Sequence, residues 1–214
     1  MKKYLIHIPF SCNYGKLLST VFSIKDSLKI EDYDISLSYG PKSEFNKIKD
    51  LLLDDNIVYL EEKTDCLARL LNSGMNYSYN NSYENLFIMS EKNTLNSGWN
   101  IPYDNMIYDL GYDAVCSCVY YLDRNKITKI RSYKEKFNTI SFDGLMINKG
   151  CLMGLGFLDE NSENFLSSFL KKLKNSKFNL GWNYKLKNKS KKSFIVDDYK
   201  RFNLTDLSQE KIKF

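Results

Sequence analysis

Histidine is nearly absent from this chain. His7 is the only one, and none of the five cysteines (Cys12, Cys66, Cys116, Cys118 and Cys151) forms a Cys-x-x-Cys pair. A structural zinc site needs roughly four suitably spaced nitrogen or sulfur ligands, so this composition argues against one. The odd cysteine count points instead to reduced thiols and a cytoplasmic setting. Proline and glycine are also scarce, three and ten, and they form no linker that would divide the chain. No run of about 18 apolar residues is present, which excludes a membrane-spanning helix of ordinary length. The start, Met1-Lys2-Lys3 and then Tyr4-Leu5-Ile6-His7-Ile8-Pro9, has the basic opening of a signal peptide. Its apolar part is too short, is broken by His7 and Pro9, and lacks a small-residue cleavage site, so a first β-strand is the better reading.

What the sequence does hold is apolar substance. Of 214 residues, 43% are hydrophobic and 14% aromatic, enough for one sizeable core and too much for disorder. The net charge of +5 is unevenly placed. Residues 171–214 carry thirteen Lys or Arg against four Asp or Glu, and the rest of the chain is slightly acidic. A basic C-terminal extension over 185–214 thus follows a main domain over 1–184. Within it Lys185, Lys187, Lys189 and Lys191 alternate, so that in an extended conformation they share one face. Such a run is commonly a solvated edge; its other reading is a surface for phosphates, anionic lipid or nucleic acid.

Apolar runs alternate with amphipathic stretches. Tyr4–Pro9, Asp34–Ser38, Ile57–Leu60, Leu86–Met89 and Ala114–Tyr121 read as strands, with a shorter one at Phe178–Tyr184. Cys116 and Cys118 would share one face of the fifth. Helical spacing predicts Gly15–Leu28, Ser43–Leu53 with Ser43 as N-cap, Lys63–Tyr77 with Thr64 as cap, Trp99–Leu110 and Asn161–Lys174. Strand and helix in strict alternation predict an α/β fold, a mostly parallel sheet flanked by helices, in a single domain. Ligands of such sheets bind at the carboxyl ends of the strands, here after Pro9, Ser38, Leu60 and Met89.

Several segments carry a more specific signal. They are Ile8-Pro9-Phe10-Ser11-Cys12-Asn13 with Leu17-Leu18 and Ser23-Ile24, then Asp34–Ser38, then Ala68-Arg69-Leu70-Leu71-Asn72-Ser73-Gly74-Met75. Next come Leu86-Phe87-Ile88-Met89-Ser90-Glu91 with Gly98-Trp99, and Phe142-Asp143-Gly144-Leu145-Met146-Ile147 with Gly154–Glu160. In this order, over roughly residues 4–180, they resemble family-2 glycosyltransferases of the GT-A fold. The resemblance implies a GT-A-like domain that binds a nucleotide-sugar donor. Pro9, Asn13, Ser38, Asn72, Gly74, Ser90, Glu91 and Lys92 would line the donor site. It also implies a divalent cation, Mn²⁺ or Mg²⁺, bridging the diphosphate.

The departures concern that cation. Where the family has Asp-x-Asp, this chain has Met89-Ser90-Glu91, a degenerate motif that leaves Glu91 as the one metal ligand. A thioether does not hold a hard cation. The following Lys92 would stand near the phosphates in place of the metal. The family's acidic residue after the second strand is missing too, with Ser38-Tyr39-Gly40 there instead. The catalytic base implied by the resemblance is Glu163, beside Asn164 and shortly after Asp159 and Glu160, with Asp143 as second candidate.

Each of these residues also has a plainer reading. His7 in mid-strand reads as a hydrogen-bonded core histidine, and Trp99 as a packing residue. Asn13 and the Asn72-Ser73-Gly74 stretch have the composition of a turn and a helix cap. Glu163 in a first helical turn would suit the helix dipole in any protein. The leading function is transfer of a sugar from a nucleotide-sugar to an acceptor hydroxyl, with inversion, the acceptor being a saccharide, a lipid-linked saccharide or a nucleic acid. The alternative is a GT-A shell that binds without catalysis after losing its metal motif. A nucleic-acid-associated protein, resting on the basic tail, ranks third.

Overall fold

The computed structural model describes residues 2–10, 14–43, 45, 49–52, 54–117, 119–123, 126–130, 143–162, 164–183, 194–195 and 199–200. The chain opens with β1 (Tyr4–Phe10), which is buried along nearly its whole length. That follows from its mostly apolar run, the signature of a parallel strand covered on both faces. Helix α1 (Tyr14–Ser27) returns along one face of the sheet and buries Leu17, Thr20, Val21 and Ile24, spaced as one helical stripe. Then come β2 (Tyr33–Tyr39), β3 (Ile57–Glu61), α2 (Leu67–Asn80) and β4 (Asn85–Ile88).

These four strands lie side by side in the order β4-β1-β2-β3, and every pairing among them is parallel. This is the arrangement that the βα spacing predicts. Helix α3 (Asn100–Asp104) runs on into a π-type turn over Asn105–Asp109. Next are β5 (Ala114–Ser117), β6 (Val119–Asp123), β7 (Lys126–Ile130), β8 (Leu145–Asn148), α4 (Lys149–Leu155), α5 (Phe165–Asn175) and β9 (Leu180–Asn183). The two-residue strands β10 (Phe194–Ile195) and β11 (Tyr199–Lys200) come last.

Among the described residues the main sheet has eight strands in the order β11-β9-β5-β8-β4-β1-β2-β3, and a second sheet is β10-β6-β7. Strand β8 enters between β4 and β5 antiparallel to both. The core therefore has two layers. On one face Tyr4, Ile6, Ile8 and Phe10 pack with Leu17, Val21, Ile24, Trp99, Tyr103 and Met106. On the other, Leu5, Leu86 and Ile88 meet Ala68, Leu71, Met75, Cys151, Leu152, Phe169 and Leu173. Trp99 is thus a core residue, its ring 4.4 Å from that of Phe87.

Four expectations need correction. The stretch Ser43–Leu53 is not one α-helix: 3₁₀ turns occupy Pro41–Ser43 and Lys49–Leu52. The apolar residues there do not share a face, since Phe45 and Leu52 are buried while Leu51 is exposed. Phe45 stacks instead on Tyr39 at 4.4 Å. Ser43 does not cap a helix, because its hydroxyl donates back to the Gly40 carbonyl at 2.7 Å. Helix α2 begins at Leu67, not Lys63, and Thr64 accepts a bond from Cys66 N–H in the turn before it. The run Ala114–Tyr121 is divided between β5 and β6, which belong to different sheets. Cys116 is buried, and Cys118 lies outside the described residues. Finally, α5 starts at Phe165, after the expected Asn161.

Candidate functional site

Parallel β1, β2 and β3 end in register at Phe10, Tyr39 and Glu61, and β4 ends earlier, at Ile88 beside His7, which together define the carboxyl edge of the sheet. Pro9 is half-buried in β1 and registered against Ser38 of β2. Ser38 is fully buried, its hydroxyl 3.3 Å from Nε2 of His7. His7 itself is enclosed: Nδ1 lies 2.9 Å from the Ser36 hydroxyl, and Nε2 lies 2.9 Å from the Leu70 carbonyl. A carbonyl only accepts, so Nε2 carries the proton and Nδ1 takes the bond from Ser36. Burial holds the His7 imidazolium pKa down to about 4, partly offset by these bonds. The ring is the neutral core histidine that its place in mid-strand suggests.

Gly74 and Asn72 lie on the side of α2 that turns inward. Gly74 faces the His7 ring. Asn72 is buried and clamps the chain that follows α4. Its Nδ2 donates to the Leu158 carbonyl at 2.9 Å and to Glu160 Oε1 at 3.0 Å, and its Oδ1 accepts from Leu158 N–H at 2.8 Å. Between α2 and this segment opens a cleft of about 450 Å³, lined by Glu62, Arg69, Asn72, Ser73, Asn76 and residues 157–161. Arg69 in its lining has Nε 3.1 Å from Glu62 and Nη1 3.5 Å from Glu160.

At the end of β4 the chain turns sharply. Met89 and Glu91 are buried, Ser90 is half-buried and Lys92 is exposed. Asp143, just ahead of β8, reaches this turn. Oδ1 accepts from Ser90 N–H at 2.8 Å, and Oδ2 accepts from the Asn93 side-chain amide. Burial raises the Asp143 carboxyl above its usual range, and the Glu91 carboxylate adds to that; the bonds from Ser90 and Asn93 act the other way. From the helix side, the Thr20 hydroxyl lies 3.0 Å from the Glu91 carbonyl and 2.6 Å from that of Asn93. Nothing local in the sequence marks Asn93 or Thr20, because their partners are about 50 and 70 residues away.

Of the donor-site candidates, the structure gathers Pro9, Ser38, Ser90, Glu91 and Lys92 at the carboxyl edge; Asn72 and Gly74 belong to α2. Asn13 and Glu163 lie outside the described residues, as does the Lys185–Lys191 run. A hard divalent cation prefers six or so oxygens with several carboxylates. The residues here fit poorly: Met89 offers a thioether, both Asp143 oxygens are engaged, and Lys92 follows Glu91 directly. No group of three His, Cys, Asp or Glu among the described residues has a metal-holding arrangement. Nor is any described helix long and apolar enough to cross a membrane.

A mostly parallel sheet with helices on both faces and β8 inserted antiparallel beside β4 is a GT-A-like α/β fold, one that matches solved glycosyltransferase structures. Solved structures share it. S. aureus TarS 1–349 in complex with UDP-GlcNAc superposes with a TM-score of 0.65 and 9% identity, covering 98% of this chain and 62% of that one. The mannosyltransferase PcManGT from Pyrobaculum calidifontis, in complex with GDP-Man and Mn²⁺, gives 0.62 and 10%, over 83% and 53%. The chain thus spans about three fifths of TarS 1–349, and 36% of the longer TarS structure. At such identities the likeness is one of fold. No protein-family model and no curated protein sequence matches the chain.

Proposed function

We propose that this chain is a glycosyltransferase that moves a sugar from a nucleotide-sugar to an acceptor hydroxyl. One observation carries the reading: the same fold, over nearly the whole chain, belongs to proteins solved with UDP-GlcNAc and with GDP-Man. The donor lies across the carboxyl edge of β1, β2 and β4, near Pro9, Asn13, Ser38, Ser90, Glu91 and Lys92, with Asn72 and Gly74 shaping the α2 side. Glu163 takes the proton of the acceptor hydroxyl as its oxygen attacks the anomeric carbon. The bond from that carbon to the diphosphate breaks, the nucleoside diphosphate leaves, and the configuration inverts. Asp143, the second candidate for the base, has both carboxylate oxygens engaged by Ser90 and Asn93, so the base role falls to Glu163. The acceptor is a saccharide, a lipid-linked saccharide or a nucleic acid, and the protein works in the cytoplasm.

Glu163→Gln tests the assignment. General-base catalysis contributes about 10²–10⁴-fold, so turnover should fall at least a hundredfold with donor affinity unchanged. Normal turnover by this variant would remove Glu163 from the mechanism. A second reading, a GT-A shell that binds without transferring, is favoured by the poor fit of Met89, Glu91 and Asp143 to a metal. It takes the lead if wild-type protein binds donor yet transfers to no acceptor.

A further inference from the structure

The turn after β4 is tied down on every side. Met89 N–H continues the parallel ladder to the His7 carbonyl at 3.0 Å, and Gly144 N–H bonds the Ile88 carbonyl at 2.8 Å. Inside the turn, Lys92 N–H meets the Ser90 hydroxyl at 3.2 Å and Asn93 N–H the Ser90 carbonyl at 3.3 Å. Asp143 fastens both ends, through Ser90 N–H and the Asn93 amide, while Thr20 holds the outer carbonyls. The carboxylate charge of Asp143 is therefore spent inside the protein, and the Glu91 side chain is buried. Lys92 alone in the segment 89–93 is exposed. Among the described residues of this turn, the one exposed side chain is the ammonium of Lys92, while the carboxylates of Glu91 and Asp143 are turned to the interior.

We infer that Lys92 is the fixed counter-charge for the donor's diphosphate, that Asp143 is the positioning residue that holds its turn, and that donor binding needs no divalent cation. The inference rests on the transferase reading. It reverses the usual polarity of such an edge: a carboxylate pair attracts phosphate only through a metal, whereas an ammonium group attracts it directly. A cation would gain little here, since the Glu91 side chain is buried and both Asp143 oxygens already accept hydrogen bonds.

Calorimetry with UDP, GDP, UMP and GMP, in EDTA and in Mn²⁺, tests this on wild type, Lys92→Met, Lys92→Arg and Asp143→Asn. Wild type should bind UDP or GDP in EDTA within about twofold of its affinity in Mn²⁺. A charge-assisted hydrogen bond is worth roughly 1.5–3 kcal/mol, or about 10–100-fold. Lys92→Met should therefore lose at least tenfold for the diphosphate and much less for the monophosphate, with Lys92→Arg restoring most of it. Asp143→Asn, checked for an intact melting transition, should narrow the ratio of diphosphate to monophosphate affinity. Undiminished diphosphate binding by Lys92→Met, or a tenfold gain from Mn²⁺ in wild type, overturns the inference and leaves the transferase reading standing. An unchanged ratio in Asp143→Asn removes its positioning role. Should wild type bind neither UDP nor GDP in either buffer, the transferase reading itself fails.

Discussion

Gly74 of α2 lies against the imidazole of His7, so close that a Cβ there would stand 2.2 Å from both Cγ and Nδ1 of the ring. The ring cannot retreat, because Ser36 and the Leu70 carbonyl hold its two nitrogens at 2.9 Å. One missing methyl group lets α2 press onto the parallel sheet at the level of Ser38. Overpacking of this kind costs about 1–3 kcal/mol. Gly74→Ala should lower stability in urea by that amount or more. A variant as stable as wild type would show that helix and ring have room to part.

The same histidine makes stability depend on pH. Its pKa falls from an ordinary 6.5 to about 4 in the folded protein, chiefly because burial disfavours the cation. The unfolded chain therefore binds a proton that the folded one refuses. The His7 contribution is complete above about pH 6.5, and it is lost as the pH falls towards 4. Wild type should lose stability more steeply than His7→Asn between these limits, by on the order of 3 kcal/mol over the whole interval. Equal slopes in urea titrations would contradict this.

The sheet was legible because β1 and β4 are mostly apolar runs buried along their length, β3 is a short apolar run, and β2 alternates apolar with polar residues, all at the spacing of βα units. The ambiguous segments failed for physical reasons. Phe45, Ile48, Leu51 and Leu52 have helical spacing, yet Phe45 stacks inward on Tyr39 and Leu52 is buried while its neighbour Leu51 is exposed. Ala114–Tyr121 reads as one strand because its alternation persists through the point where the chain changes sheets. At the candidate site, Glu91 and Lys92 stood out only through the resemblance of Met89-Ser90-Glu91 to the family's Asp-x-Asp triplet. Their burial and exposure were not legible, since these depend on Asp143, Asn93 and Thr20, partners that only the fold brings near.

Asn72 provides a further check. Its amide pairs with both backbone groups of Leu158. Breaking buried hydrogen bonds of this kind costs about 1–3 kcal/mol. Asn72→Ala should destabilise the protein by that amount and loosen the wall of the cleft. Limited proteolysis should then cut near Phe157 and Leu158 sooner than in wild type. An unchanged cleavage pattern would mean that the rest of the segment holds itself.

Whether this fold handles a nucleotide-sugar at all is decided most directly by thermal unfolding of wild-type protein with UDP, GDP, UDP-GlcNAc and GDP-Man. A ligand at a hundred times its dissociation constant adds about 2.7 kcal/mol to stability, a shift of several degrees. The account predicts such a shift with at least one of these compounds, present in EDTA as well as in Mn²⁺. A melting temperature unmoved by all four at millimolar concentration, in either buffer, would contradict it.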